Sequence, residues 1–151
     1  MTMTIFEENQ PFRQPWLWTL MLATLGVLVF ASLDAPEGAP WIILSIMLAV
    51  ALLLYVMRLS VQVDTEAVHI RFFPIWKKTI PFAEIVRWEA RTYRPSLEYG
   101  GWGIRYSLGN GWAYNVSGNR GVQLELANGK RILIGSQRAE ALARAIREGK
   151  G

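Results

Sequence analysis

The chain has 151 residues, of which 52% are hydrophobic and 19% charged, with a formal net charge of +4. That length leaves room for one domain and excludes a pair of catalytic domains, while an apolar share above the usual 45–50% or so points toward lipid. With no cysteine and one histidine, His69, disulfide frameworks, thiolate zinc sites, cysteine nucleophiles and histidine clusters are excluded.

Residues 1–15 carry Glu7 and Glu8 against a single cation, Arg13, and are read as an N-terminal cytoplasmic segment. Two uncharged runs follow, WLWTLMLATLGVLVFASL from Trp16 to Leu33 and WIILSIMLAVALLLYVM from Trp41 to Met57. At about 1.5 Å per residue each run nearly spans the bilayer core, so both are predicted to be transmembrane helices, 16–33 and 41–57. Trp16, Trp18, Trp41 and Tyr55 lie near the ends of the runs, where amphipathic rings prefer the headgroup level. The linker Asp34–Pro40 is short, acidic and rich in proline, which predicts a tight antiparallel hairpin. A cleaved signal peptide fits less well, because the leading segment lacks a basic excess and the first run is too long. Small residues four apart, Thr19 and Ala23 in the first helix and Ser45 and Ala49 in the second, are the candidates for transmembrane packing.

From Arg58 onward there are 15 basic and 8 acidic side chains, a net of +7, against −3 before it. The positive-inside rule then predicts a multi-pass protein of the inner membrane with both termini cytoplasmic. In the same region the pattern changes to alternation, which predicts strands at Val61–Val63, Val68–Phe72, Ile75–Ile80, Glu84–Tyr93 and Trp112–Val116, with Trp102–Leu108 a loop or a strongly bent strand. Gly121–Gly135 reads as a hairpin with a type I′ turn at Asn128-Gly129. Gln137–Glu148 reads as an amphipathic helix with Ser136 as its N-cap. Five glycines between Pro95 and Gly111 are read as bends. The expected fold class is therefore membrane-anchored α+β. A transmembrane helical hairpin (16–57) precedes a cytoplasmic domain (58–151) in the element order of a pleckstrin-homology-like (PH-like) module, a bent antiparallel sheet or partial barrel of about seven strands closed by a C-terminal helix.

The runs EYGGWGIR from Glu98 to Arg105 and AYNVSGNRGVQLELANGKRILIGSQR from Ala113 to Arg138 resemble a family of small bacterial membrane proteins. Members have two N-terminal transmembrane helices and a cytoplasmic PH-like domain. The resemblance covers nearly the whole chain in layout and mainly residues 98–146 in motif. It implies a fold and an orientation, and no catalytic residues.

No constellation for catalysis emerges. His69 lies between Val68 and Ile70 on the face opposite the apolar set, Asp64 and Glu66 read as a solvated turn, and no serine sits in Gly-x-Ser-x-Gly. The glycine spacings match no phosphate-binding loop. No catalytic residue, metal or cofactor is expected. Basic and aromatic side chains interleave, and Arg91, Arg94, Tyr99, Trp102, Arg105 and Trp112 are the candidates for contact with a partner or with lipid. On a free domain that pattern would suggest single-stranded nucleic acid. Beside an anionic leaflet the surplus charge has a nearer sink, so membrane lipids, with a membrane protein partner or a second copy, are the expected partners and nucleic acid is not. The expected function is non-enzymatic binding to a protein partner or to anionic headgroups. An accessory or assembly subunit of a larger membrane complex is the alternative, and an enzyme acting on a lipid or small molecule a minor one.

Overall fold

The computed structural model describes residues 2–151, which form two compact units. One is Pro11–Met57; the other joins the segment up to Gln10 to Arg58–Gly151.

The first unit holds two helices, α1 (Pro15–Ala31) and α2 (Ala39–Val56), each with proline in its opening positions, where a missing N–H costs nothing. The two pack on each other through half-buried residues at helical spacing, Met21, Leu25 and Val29 on α1 and Ile43, Met47 and Ala51 on α2. Thr19, Ala23, Ser45 and Ala49 are exposed and lie off that stripe. The Thr19 and Ser45 hydroxyls donate to the carbonyls of Pro15 (2.9 Å) and Trp41 (2.8 Å) in their own helices. Neither helix buries a single residue.

The expected transmembrane hairpin is corrected here. Among the described residues only α2 is long and apolar enough to cross a membrane, with 18 residues and a mean hydropathy of 2.4. The first apolar run yields a shorter helix of 17 residues, because its last two residues leave the helix. There the Ser32 N–H is shared between the carbonyls of Leu28 and Val29, and a turn follows.

The second unit corrects the rest of the expected fold class. Its described residues form nine strands in two sheets, not about seven in one bent sheet or barrel. The four-stranded sheet runs β1 (Phe6–Pro11), β2 (Arg58–Val63), β3 (Ala67–Phe73), β4 (Trp76–Pro81). The five-stranded sheet has the order β5 (Ile85–Thr92), β8 (Arg120–Leu126), β9 (Arg131–Gly135), β7 (Gly111–Asn115), β6 (Gly103–Ser107). β7 and β9 are parallel, so the sheet is mixed, contrary to the antiparallel expectation. A short helix α3 (Pro95–Tyr99) follows β5, and α4 (Ala139–Lys150) closes the chain.

Alternation does what its period requires. Leu59, Val61 and Val63 of β2, Val68, Ile70 and Phe72 of β3, and Val122, Leu124, Ile132 and Ile134 of β8 and β9 are all buried. α4 lays Leu142, Ala145 and Ile146 against β5, β8 and β2, so it touches both sheets. Trp76 of β4 stacks on Tyr114 of β7, with ring centroids 4.5 Å apart.

The Leu126–Lys130 turn differs from the type I′ expectation. Among the described residues only glycines have positive φ, so Asn128 is excluded from the left-handed region and Gly129 alone occupies it at φ 80°. The Gly129 N–H donates to the Leu126 carbonyl, and the Asn128 side chain accepts from Lys130 N–H, which makes a three-residue loop with a bulge at the glycine.

The segment before α1, read from sequence as a cytoplasmic tail, supplies β1. Ile5 N–H donates to Val63 O (2.8 Å), and Glu8 and Gln10 point inward and are buried. The Glu8 carboxylate accepts from the Ser136 hydroxyl and from Gln137 N–H (2.8 Å), just before α4. Gln10 donates to Gly135 O (2.8 Å), and the Arg138 guanidinium covers the Phe6 ring at 4.6 Å. Ser136 is thus not the N-cap, a position held by Arg138; its hydroxyl accepts from Arg138 N–H and donates to Glu8.

Because two donors at Ser136 and Gln137 converge on one buried carboxylate, Glu8→Ala should lower the unfolding free energy by about 1–3 kcal/mol. Glu8→Gln, which keeps an acceptor, should cost less. Chemical denaturation in mild detergent checks both, and equal stability of all three proteins would remove the role given to Glu8.

Candidate functional site

β5 presents Arg87, Glu89 and Arg91 on the outer face of the five-stranded sheet, and β8 sets Gln123 and Glu125 beside them, since Glu89 pairs with Gln123 and Arg87 with Glu125. With Asn110 and Arg131 these side chains line an open depression of about 240 Å³. α3 closes one end. Pro95 starts that helix and Gly100, at φ 72°, caps it in the left-handed conformation that favours glycine.

The helix delivers Glu98 and Tyr99. Arg91 donates to Glu98 at 2.7 Å and to the Gln123 side-chain oxygen at 3.3 Å, and Arg94 N–H donates to the other Glu98 oxygen at 2.9 Å. Tyr99 is buried; its hydroxyl is 3.4 Å from the same Gln123 oxygen and its ring meets Tyr93 edge-on at 6.0 Å. Tyr93, Tyr99, Ala113 and Leu133 form a small apolar cluster under the helix.

Burial would raise the Glu98 pKa, but the Arg91 hydrogen bond, the Arg94 N–H and the charges of both arginines outweigh it and hold the carboxyl below its usual 4.5. Burial pushes the Tyr93 and Tyr99 hydroxyls up, and that of Tyr114 up to about 12. None of these phenols is poised to lose a proton near neutrality.

The six sequence candidates divide among three places. Arg91 and Tyr99 are structural members of the Glu98 cluster, and Arg94 contributes its backbone N–H there. Trp102 and Arg105 are tied to the chain around the β6 edge, Trp102 donating to Gly118 O (3.0 Å) and Arg105 to Trp102 O (2.9 Å). Trp112 lies on the opposite face, out of phase with Ala113. It stacks on Tyr114 at 6.5 Å and meets Tyr106 at a tilt of 59° and 5.2 Å, so the rings from Trp76 to Tyr106 form a chain ending in solvent. Within the glycine-rich stretch close packing excludes a side chain at Gly111, where φ is 75° and a Cβ would meet the Arg131 carbonyl oxygen at 2.2 Å.

His69 is more engaged than a surface residue. Its ring nitrogens lie 2.8 Å from Asp64 Oδ2 and 3.0 Å from Thr79 Oγ1. His69 and Thr79 are directly opposed on β3 and β4, and cross-strand neighbours on one face make such contacts. Asp64 also accepts from Glu66 and Ala67 N–H, which fixes the β2–β3 turn. Burial opposes ionisation of Asp64, yet these hydrogen bonds and His69 hold its pKa below 3.8. Among the described residues no three metal-ligating side chains cluster.

No protein-family model and no curated protein matches the chain, so the resemblance noted for residues 98–146 stands on those residues alone.

A depressed carboxyl pKa contributes stability that is present above the unfolded value and lost as pH falls through the folded one. Glu98→Gln should therefore lower the unfolding free energy by roughly 1–2 kcal/mol at pH 7. The deficit should shrink as pH drops below the usual 4.5 toward the depressed value. Denaturation curves at pH 7 and at acid pH check this, and a deficit independent of pH counts against it.

Proposed function

We propose that the chain is a membrane-attached binding protein without catalytic activity, its apolar unit held in lipid and its sheet unit working at the membrane surface. The observation that carries this reading is the exposure of the apolar helices. A core helix of a soluble protein would be covered, whereas none of the α2 span is buried, and Trp41, Ile42, Ile46, Leu48 and Leu52 are all more than half exposed. Water is a poor solvent for such a surface, and a bilayer supplies the missing apolar contact.

Charge supports a side. The unit Pro11–Met57 carries Arg13, Asp34 and Glu37 only, while the sheet unit, with Glu7 and Glu8 counted, has 15 basic and 10 acidic side chains, a net of +5. The positive-inside bias and attraction to anionic lipid both favour the sheet unit on the cytoplasmic face of the inner membrane. β1 and β2 flank the apolar unit in sequence and are neighbours in one sheet, so both chain ends belong on that same face. Binding fits the chemistry better than catalysis. The cluster around Glu98 is internally paired, and the imidazole of His69 is committed to its strand neighbours.

The full chain should stay with the membrane fraction after an alkaline carbonate wash, and tags placed before β1 and after Gly151 should both be protected from protease in right-side-out vesicles and both be cleaved in inverted ones. Release by carbonate would overturn the membrane reading, and opposite accessibility of the tags would overturn its sidedness.

A further inference from the structure

Arg58 follows Met57 directly and is paired with Phe73, so the β3–β4 turn, Pro74-Ile75, lies at the end of the four-stranded sheet where the chain arrives from α2. The turn is built by its backbone: Ile75 N–H donates to Phe72 O at 2.9 Å, which asks nothing of the isoleucine side chain. That side chain is nevertheless 60% exposed, between a proline and a tryptophan. Around it the outer face of the sheet is cationic. The guanidinium carbons of Arg58 and Arg71 stand 5.2 and 5.3 Å from the Phe73 ring centroid, and Lys77 is opposite Arg71. All three cations are exposed, and among the described residues none of them forms an ion pair with a carboxylate. Beside them Ser60, Gln62, Arg71, Lys77 and Thr79 line a shallow depression of about 370 Å³, where Glu7 is the one carboxylate.

We propose that this end of the sheet is a site for anionic phospholipid headgroups, with Ile75 entering the acyl boundary and Arg58, Arg71 and Lys77 meeting headgroup phosphates. The inference rests on the membrane-attached reading and names its ligand. Two guanidiniums held over one ring, with Lys77 opposite one of them, repel each other, and an anionic surface relieves that repulsion. An exposed aliphatic tip beside them is costly in water and favourable at a lipid boundary. It is at this edge, and not at the β2–β3 turn at the far end of the same strands, that the chain continues directly from α2. Each cation near an anionic leaflet is worth about fivefold in partitioning.

Because the chain has no cysteine, single labelling sites are clean. Full-length protein carrying Ile75→Cys or, as a control at the far turn, Thr65→Cys is labelled with an environment-sensitive fluorophore. Each is reconstituted into nanodiscs of phosphatidylcholine alone or with one-third phosphatidylglycerol. The label at 75 should shift to the blue and be quenched by nitroxide lipids several-fold more strongly in the anionic discs, while the label at 65 stays aqueous. Adding Arg71→Gln and Lys77→Gln should abolish the difference between the two discs. A label at 75 that stays aqueous in both, in protein that remains disc-bound, overturns this site and leaves membrane attachment standing; protein that fails to enter discs at all sinks the attachment instead. Shielding of position 75 in native membranes but not in anionic discs would identify a protein as its occupant and would also overturn the proposal.

Discussion

A buried carboxylate ties the two ends of the chain together. Glu8 precedes the apolar helices and Ser136 and Gln137 follow every strand, yet the three share hydrogen bonds at the start of α4. A carboxylate taken out of water without donors would be prohibitively costly, so its burial commits β1 to this one position and register. The Gln10 and Arg138 contacts make the same commitment on either side. From it follows the division of the chain into an interrupted sheet unit and an inserted apolar one, with the departure at Pro11 and the return at Arg58 on adjacent strands.

That arrangement changes what the charges mean. Glu7 and Glu8 belong to the sheet unit, so its surplus is smaller than a count from Arg58 onward suggests, and its distribution matters more than its total. On the five-stranded sheet the two arginines of the β5 outer face meet carboxylates, Arg91 with Glu98 and Arg87 with Glu89. At the Arg58 end of the four-stranded sheet they face one another around Phe73. Paired charges rigidify a surface, whereas unpaired ones leave it able to attract an opposite charge from outside.

Much of the sheet unit was legible from period alone. Val61 and Val63, Val68 to Phe72, the Gly121–Gly135 hairpin and the apolar side of α4 are where alternation and helical spacing place them. β1 was illegible because FEENQP buries Phe6, Glu8 and Gln10, two of which are polar; the alternation is present in the fold and invisible in the hydropathy. α3 was hidden within a stretch whose glycines and proline read as loop, and with it the placement of Glu98 opposite Arg91. The parallel pairing of β7 with β9 has no local signature, since it depends on β8 reversing direction between them. The candidate site was legible as a composition of arginines and rings and not as a place: Tyr99 is in a core, Trp112 is on the other face, and Arg58, Arg71 and Lys77, which the fold gathers at one end of the four-stranded sheet, are separated in sequence.

The closure at Glu8 also sets an order in time. β1 precedes both apolar helices, but the hydroxyl that its carboxylate accepts from lies 128 residues downstream. Its neighbour β2 appears only after both apolar helices have been made. Once β2 emerges the strand can pair, but its carboxylate has no donors until Ser136 and Gln137 are made, and contacts of such sequence separation form slowly because the closure entropy precedes any reward. The carboxylate of β1 thus waits for its donors until the chain reaches the start of α4.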